Sequence, residues 1–181
     1  MTPVHNTTII NLSGDPGSGK STTAASVFAA MKTAGISCEL ITEYVKTWAW
    51  RGEKIGAWDD IYITAKQLRR ESACYGKVDY VITDSPLWLG AMYERLYRPD
   101  SHIMAAIAHE TRARQAAAGL NVVECFVKRT KPFVQAGRYE DEAAARRVDA
   151  YCQEWLSAHA ETYHVVQDAG DVLHAAGMAA P

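Results

Sequence analysis

Thr7-Thr-Ile-Ile-Asn-Leu-Ser-Gly-Asp-Pro-Gly-Ser-Gly-Lys-Ser21 is the stretch on which the reading of the whole chain turns. Its first half, Thr7–Leu12, is β-branched and apolar and predicts a strand, with Ser13-Gly14 as the turn that ends it. Lys20–Lys32 then predicts a helix, because Ala24, Val27, Phe28 and Met31 recur at helical spacing and Gly35 can close the end. Between strand and helix, residues 14–21 fit G-x-x-x-x-G-K-[ST] in full.

The chemistry explains that pattern. Glycines let successive backbone N–H groups turn inward around a phosphate, where a Cβ would block the approach. The helix that follows aims its positive end at the same anion. Gly14, Asp15, Pro16, Gly17, Ser18, Gly19, Lys20, Ser21 and Thr22 are therefore the expected nucleotide-binding residues. Lys20 is expected to bridge the β- and γ-oxygens of ATP, and the Ser21 hydroxyl to face Mg²⁺.

Working outward, Cys38–Thr42, Tyr80–Thr83, Asn121–Val127 and Tyr163–Gln167 predict four more strands. Helices are predicted over Asp59–Gly76, Leu87–Leu96, Ser101–Ala118 and Glu140–His159. In the last of these, Val148, Tyr151, Cys152 and Trp155 share one face. Strands alternating with helices predict an α/β fold of three layers around a five-stranded parallel sheet. The Ala-rich end, Ala175–Pro181, is expected to fray.

Composition fits one domain over residues 1–181: apolar residues make up 48% and charged residues 22%, an ordinary globular mixture. No apolar run is long enough to span a bilayer, and the first residues lack a signal-peptide layout, so a cytoplasmic protein without a membrane partner is expected. Cys38, Cys74, Cys125 and Cys152 form no C-x-x-C pair and read as free thiols. The six histidines show no zinc-binding spacing. A net charge of −2 gives no general attraction to nucleic acid, although Lys66, Arg69 and Arg70 cluster locally, as do Lys128, Arg129 and Lys131.

The ends of the predicted strands carry the remaining candidates, since that edge of an open parallel sheet faces the ligand. Asp84 follows Tyr80–Thr83, where a Walker-B carboxylate meets Mg²⁺; the alternative is a helix N-cap over Asp84-Ser85-Pro86. Glu43 ends the second strand and is a candidate general base for an acceptor hydroxyl, or else a solvated surface carboxylate. Residues 128–141 combine Arg129, Lys131 and Arg138 with Pro132 and Gly137, which reads as a lid carrying cations to the transferred phosphate. Trp48, Trp50, Arg51, Trp58, Gln67, Arg70 and Trp88 gather aromatic faces and hydrogen-bonding groups. They line an acceptor pocket in one reading and pack the core in the other.

These residues together resemble the small P-loop kinases that include nucleoside, nucleotide and polynucleotide kinases. The resemblance implies strand order 2-3-1-4-5, Glu43 as the base, and Arg129 and Arg138 as lid arginines. The segments GDPGSGKSTTAA, ELITEY, AKQLRR, VDYVITDSPLWLG and KRTKPF…GRYEDE are similar to the bacteriophage kinases that phosphorylate 5-hydroxymethyluracil in DNA. That likeness implies ATP-dependent transfer to a modified pyrimidine in DNA, within a bacterial host cell during phage infection. A free nucleoside or nucleotide (dNMP) kinase is the alternative acceptor reading. A non-kinase P-loop ATPase or switch is the third.

Overall fold

The computed structural model describes residues 5–56, 58–130, 132–134 and 139–178. In chain order the elements are β1 (Thr8–Ser13), α1 (Lys20–Thr33), β2 (Cys38–Ile41), α2 (Lys46–Arg51), α3 (Asp59–Ser72) and β3 (Tyr80–Thr83). They continue with α4 (Leu89–Tyr97), α5 (Ile103–Ala117), β4 (Asn121–Val127), α6 (Glu142–His159), β5 (His164–Val166) and α7 (Ala169–Ala175).

The five strands form one parallel sheet in the order β2-β3-β1-β4-β5. β1 lies at its centre, with Asn11 in register with Thr83 on one side and Glu124 on the other. The alternation of a strand divides its side chains between two helical layers. Ile10 and Leu12 join Cys125, Val127, Val27, Met31, Val172 and Leu173 in the core beneath α1 and α7. On the opposite face Phe126 packs with Leu89, Met92, Met104, Ala108, Val148, Cys152 and Leu156 from α4, α5 and α6. This is the three-layer α/β fold that the strand–helix alternation predicted, and its strand order is the one the resemblance to small P-loop kinases implied.

All five strands run one way, so the exits of β1, β2, β3 and β4 converge on a single edge. The phosphate loop, Glu43, Asp84 and Arg129 follow those four exits.

Several boundaries differ from the sequence expectation. α3 stops at Ser72, and the turn after it reaches Gly76, whose φ of +70° ends the helical path. α6 starts at Glu142 because the Asp141 carboxylate accepts from the Ala144 N–H at 2.7 Å and caps it. α5 starts at Ile103, beneath Glu94, whose carboxylate accepts from the Met104 and Ala105 N–H groups and the Ser101 hydroxyl. Two helices were not anticipated. α2 is six residues long with no buried residue, so it has no apolar stripe to find. α7 is seven residues long, capped by Asp168, and buries Val172 and Leu173. The expectation that the chain frays from Ala175 is corrected: Ala176 and Met178 pack on the core, and the Met178 N–H donates to Leu173. Cys38, Cys125 and Cys152 are buried free thiols, and Cys74 is half-buried and free.

Candidate functional site

The phosphate loop takes the backbone path its glycines allow. Gly14, Gly17 and Gly19 have φ of +134°, +101° and +106°. At Gly14 space is also decisive, because a Cβ would lie 2.7 Å from the Val127 carbonyl oxygen and 2.9 Å from Ser18 Oγ. Lys20, the first residue of α1, turns its ammonium back over the loop and donates to the carbonyls of Gly14 (2.9 Å) and Asp15 (2.7 Å). Among the described residues, Ser18 Oγ is buried without a hydrogen-bond partner. Thr22 is exposed on the first turn of α1.

Asp84 joins three elements. One carboxylate oxygen accepts from the Ser21 hydroxyl at 2.5 Å, and the other from the Glu43 N–H at 2.8 Å. Ser21 and Asp84, predicted together on the metal side, are thus adjacent. The helix-cap alternative fails, since α4 begins only at Leu89 with Trp88 in the cap position.

Glu43 is half-buried. Burial pushes its carboxyl above the ordinary value. Lys20 opposes that shift, Asp84 adds to it, Lys46 opposes it, and Glu140 adds to it. A carboxyl so placed is a stronger base than a solvated one. Lys46 comes from the start of α2 and donates to Ser21 Oγ at 3.3 Å. Sequence reasoning passed over Lys46, because α2 itself left no periodic signal. It also passed over Glu140, which is buried and accepts from the Tyr97 hydroxyl at 3.4 Å.

The structure divides the expected acceptor group. Trp48 stacks on Tyr62 and meets Tyr44 edge-on, with centroids 6.2 Å and 6.3 Å away, so α2 and α3 share an aromatic cluster beside Glu43. Trp50 and Trp58 are 66% and 82% exposed. Arg51 is exposed and pairs with Glu53 at 3.5 Å. Arg70 donates to the Thr42 carbonyl at 2.9 Å, tying α3 to the end of β2.

Two members belong to the interior. Gln67 is 3% exposed; its amide oxygen accepts from the Tyr44 N–H at 3.0 Å and its nitrogen donates to Thr83 Oγ1 at 3.4 Å. It therefore shapes the backbone after β2 and has no edge turned outward to read a base. Trp88 is likewise corrected: it is 5% exposed, its indole N–H donates to Glu124 at 3.2 Å, and it stacks on Trp155 under α6.

After β4, Arg129 forms an ion pair with Asp15 and lies 3.6 Å from Glu142. The Asp15 carboxylate is buried, with one oxygen unpaired among the described residues, and this residue of the loop is matched by a cation of the protein itself. Arg138 and Lys131 lie outside the described residues. The Tyr139 hydroxyl donates to the Glu53 carbonyl at 2.7 Å, which joins the segment after β4 to the chain between α2 and α3.

Residues 9–173 match a family model described as an AAA domain. The chain belongs to that AAA-domain family. No curated protein matches it. Among solved structures it is similar to thymidylate kinase from Ehrlichia chaffeensis, with a TM-score of 0.59 and 14% identity over 92% of this chain and 94% of that one. Mycobacterium tuberculosis APS kinase CysC in complex with AMPPNP and APS gives a TM-score of 0.47 and 16% identity, over 91% of this chain and 81% of that one. At such identities the thymidylate kinase match speaks to the fold, and it agrees with the P-loop kinase arrangement described above. Among the described residues, no helix is long and apolar enough to cross a membrane.

Proposed function

We propose that this chain is an ATP-dependent kinase that moves the γ-phosphoryl group to a nucleoside-type hydroxyl. One observation carries the reading: beside the phosphate loop there are two carboxylates with separate surroundings. Asp84 receives the Ser21 hydroxyl, while Glu43 is set apart at the exit of β2 with only its backbone N–H engaged by Asp84. An ATPase needs a carboxylate for the metal. A second one, facing the side where an acceptor would enter, suits proton removal from a hydroxyl.

The residues present fit a magnesium nucleotide. A buried Ser18 hydroxyl with no partner among the described residues, a glycine cradle that a Cβ would fill, and adjacent Ser21 and Asp84 oxygens are the donor set such a group requires. Mg²⁺ would be held by Ser21 and Asp84 and would neutralise charge on the phosphate oxygens. In the transfer, Glu43 takes the proton of the acceptor hydroxyl. The acceptor oxygen bonds to the γ-phosphorus as the bond from phosphorus to the departing ADP oxygen breaks. Lys20 and the loop N–H groups stabilise the charge that shifts toward ADP.

For the acceptor, the reading we favour is the 5-hydroxymethyl group of 5-hydroxymethyluracil in phage DNA. Its support is the sequence resemblance together with the surface of residues 46–70, where six basic side chains face three acidic ones and Trp50 and Trp58 are exposed. Exposed aromatic rings among cations suit bases that have left a stack. The acidic balance of the whole chain favours the runner-up, a free nucleotide. Labelled ATP offered with hydroxymethyluracil DNA, thymine DNA and free hydroxymethyl-dUMP separates the two. Label on the modified DNA, falling steeply with salt, supports the DNA reading. Preferential label on the mononucleotide overturns it.

A further inference from the structure

We infer that Lys46, at the start of α2, is a second cation for the γ-phosphate, delivered from the acceptor side of the site. The inference rests on the kinase reading for its meaning, but its geometry stands alone. The backbone leading to Lys46 is pinned twice: the Glu43 N–H by Asp84 at 2.8 Å and the Tyr44 N–H by Gln67 at 3.0 Å. α2 is held further by the packing of Trp48 on Tyr62. The Lys46 ammonium consequently reaches Ser21 Oγ at 3.3 Å, the same hydroxyl that Asp84 receives.

Two ammonium groups therefore flank the loop. Lys20 lies over it, on the carbonyls of Gly14 and Asp15. Lys46 approaches from the β2 side, and both ammoniums act electrostatically on Glu43. Among the described residues, Arg129, the cation that follows β4 at this edge, is already engaged, since it is paired with Asp15 and lies 3.6 Å from Glu142. Among the described residues Lys46 forms no ion pair with a carboxylate, and it is exposed, so its charge is available to a phosphate. Lysine suits the task as a flexible point charge that can follow a moving phosphoryl group.

The loop glycines read the β-phosphate, which ADP and ATP share. A cation on the γ-position affects only ATP. The test is therefore calorimetric binding of AMPPNP and of ADP, each with Mg²⁺, to the full chain and to its Lys46→Ala and Lys46→Arg variants, with thermal unfolding as the check on folding. The expected result is that Lys46→Ala weakens AMPPNP by roughly 10-fold, the scale of one charge-assisted hydrogen bond, while ADP changes less than about twofold. Lys46→Arg should restore most of the loss. Equal weakening of both nucleotides, or of neither, overturns the assignment, as does a native chain that prefers AMPPNP to ADP no more than Lys46→Ala does. A chain that shows the Lys46-dependent preference yet phosphorylates no acceptor supports the Lys46 assignment and contradicts the kinase reading instead.

Discussion

The Ser21 hydroxyl donates to Asp84 Oδ2 at 2.5 Å, joining the first turn of α1 to the exit of β3, 63 residues along the chain. The other oxygen of the Asp84 carboxylate accepts from the Glu43 N–H, and Ser21 and Asp84 are the residues proposed to hold Mg²⁺. Asp84→Asn keeps the size and an acceptor for Glu43 but removes the charge. Nucleotide binding should then lose most of its dependence on Mg²⁺, and transfer should fall by roughly 10²–10³-fold. Titrations of AMPPNP at several Mg²⁺ concentrations check this; an unchanged Mg²⁺ dependence would move the metal role away from Asp84.

Gly14 and Gly35 make a matched pair for the loop. Both have positive φ, but a Cβ at Gly14 would meet the Val127 carbonyl at 2.7 Å, whereas nothing lies within 4 Å at Gly35. Gly35→Ala should cost about 1 kcal/mol of stability from backbone strain alone. Gly14→Ala should cost about 2–3 kcal/mol or more, since backbone must shift as well. Urea unfolding of the two variants measures the difference, and equal costs would mean the loop yields freely.

Half-buried Arg129 pairs with the buried carboxylate of Asp15 in the phosphate loop. Removing only the cation leaves a buried carboxylate unanswered, so Arg129→Gln should destabilise the chain by roughly 3 kcal/mol. Adding Asp15→Asn to it should recover a large part of that loss. A double-mutant cycle in denaturant reads the coupling. Additive effects would show that the two charges do not depend on one another.

How much of this was legible in the sequence follows from how far each relationship reaches. Thr7–Ser21 is local, so strand, loop and helix could be read from β-branching, glycines and apolar spacing, and the carboxylates after β2 and β3 came with the sheet. α2 left no signal because none of its residues is buried, and Lys46 was lost with it. Trp88 looked like an acceptor residue because it follows Asp84-Ser85-Pro86; its partner Glu124 lies 36 residues on, brought to it only by the packing of β4. Arg129 was read as free for phosphate, yet Asp15, 114 residues earlier, takes it up. Gln67 was read as an outward-facing group, but its two hydrogen bonds go to Tyr44 and Thr83. Partners of that kind are properties of the folded sheet and carry no local pattern.

Stability should also depend on pH through Glu71. It is 1% exposed, accepts from the Tyr75 hydroxyl at 2.5 Å and from Gln115 at 3.4 Å, and has its second oxygen unpaired among the described residues. Burial raises its pKa from an ordinary 4.5 to about 7, against the lowering effect of the Tyr75 hydrogen bond, with Glu124 adding to the rise. The folded chain thus holds a proton that the unfolded chain releases. The contribution is full below about pH 4.5, declines as pH rises, and is gone above about pH 7. Glu71→Gln cannot ionise, so relative to the native chain it should gain on the order of 3 kcal/mol between pH 4.5 and pH 7.5. Denaturant unfolding at the two pH values checks this; a constant difference would mean Glu71 is ionised in the fold throughout.

Single-turnover experiments with γ-labelled ATP test whether Glu43 makes this phosphate site a transferase, as proposed. Native chain and Glu43→Gln are each mixed with the acceptor that the labelling comparison selects, and label is followed into acceptor phosphoester and into inorganic phosphate. The native chain is expected to place its label on the acceptor. Glu43→Gln should slow that transfer by roughly 10²–10⁴-fold while binding AMPPNP within about twofold of the native affinity. Label appearing only as inorganic phosphate with every acceptor offered, or transfer at an unchanged rate in Glu43→Gln, would contradict the proposal.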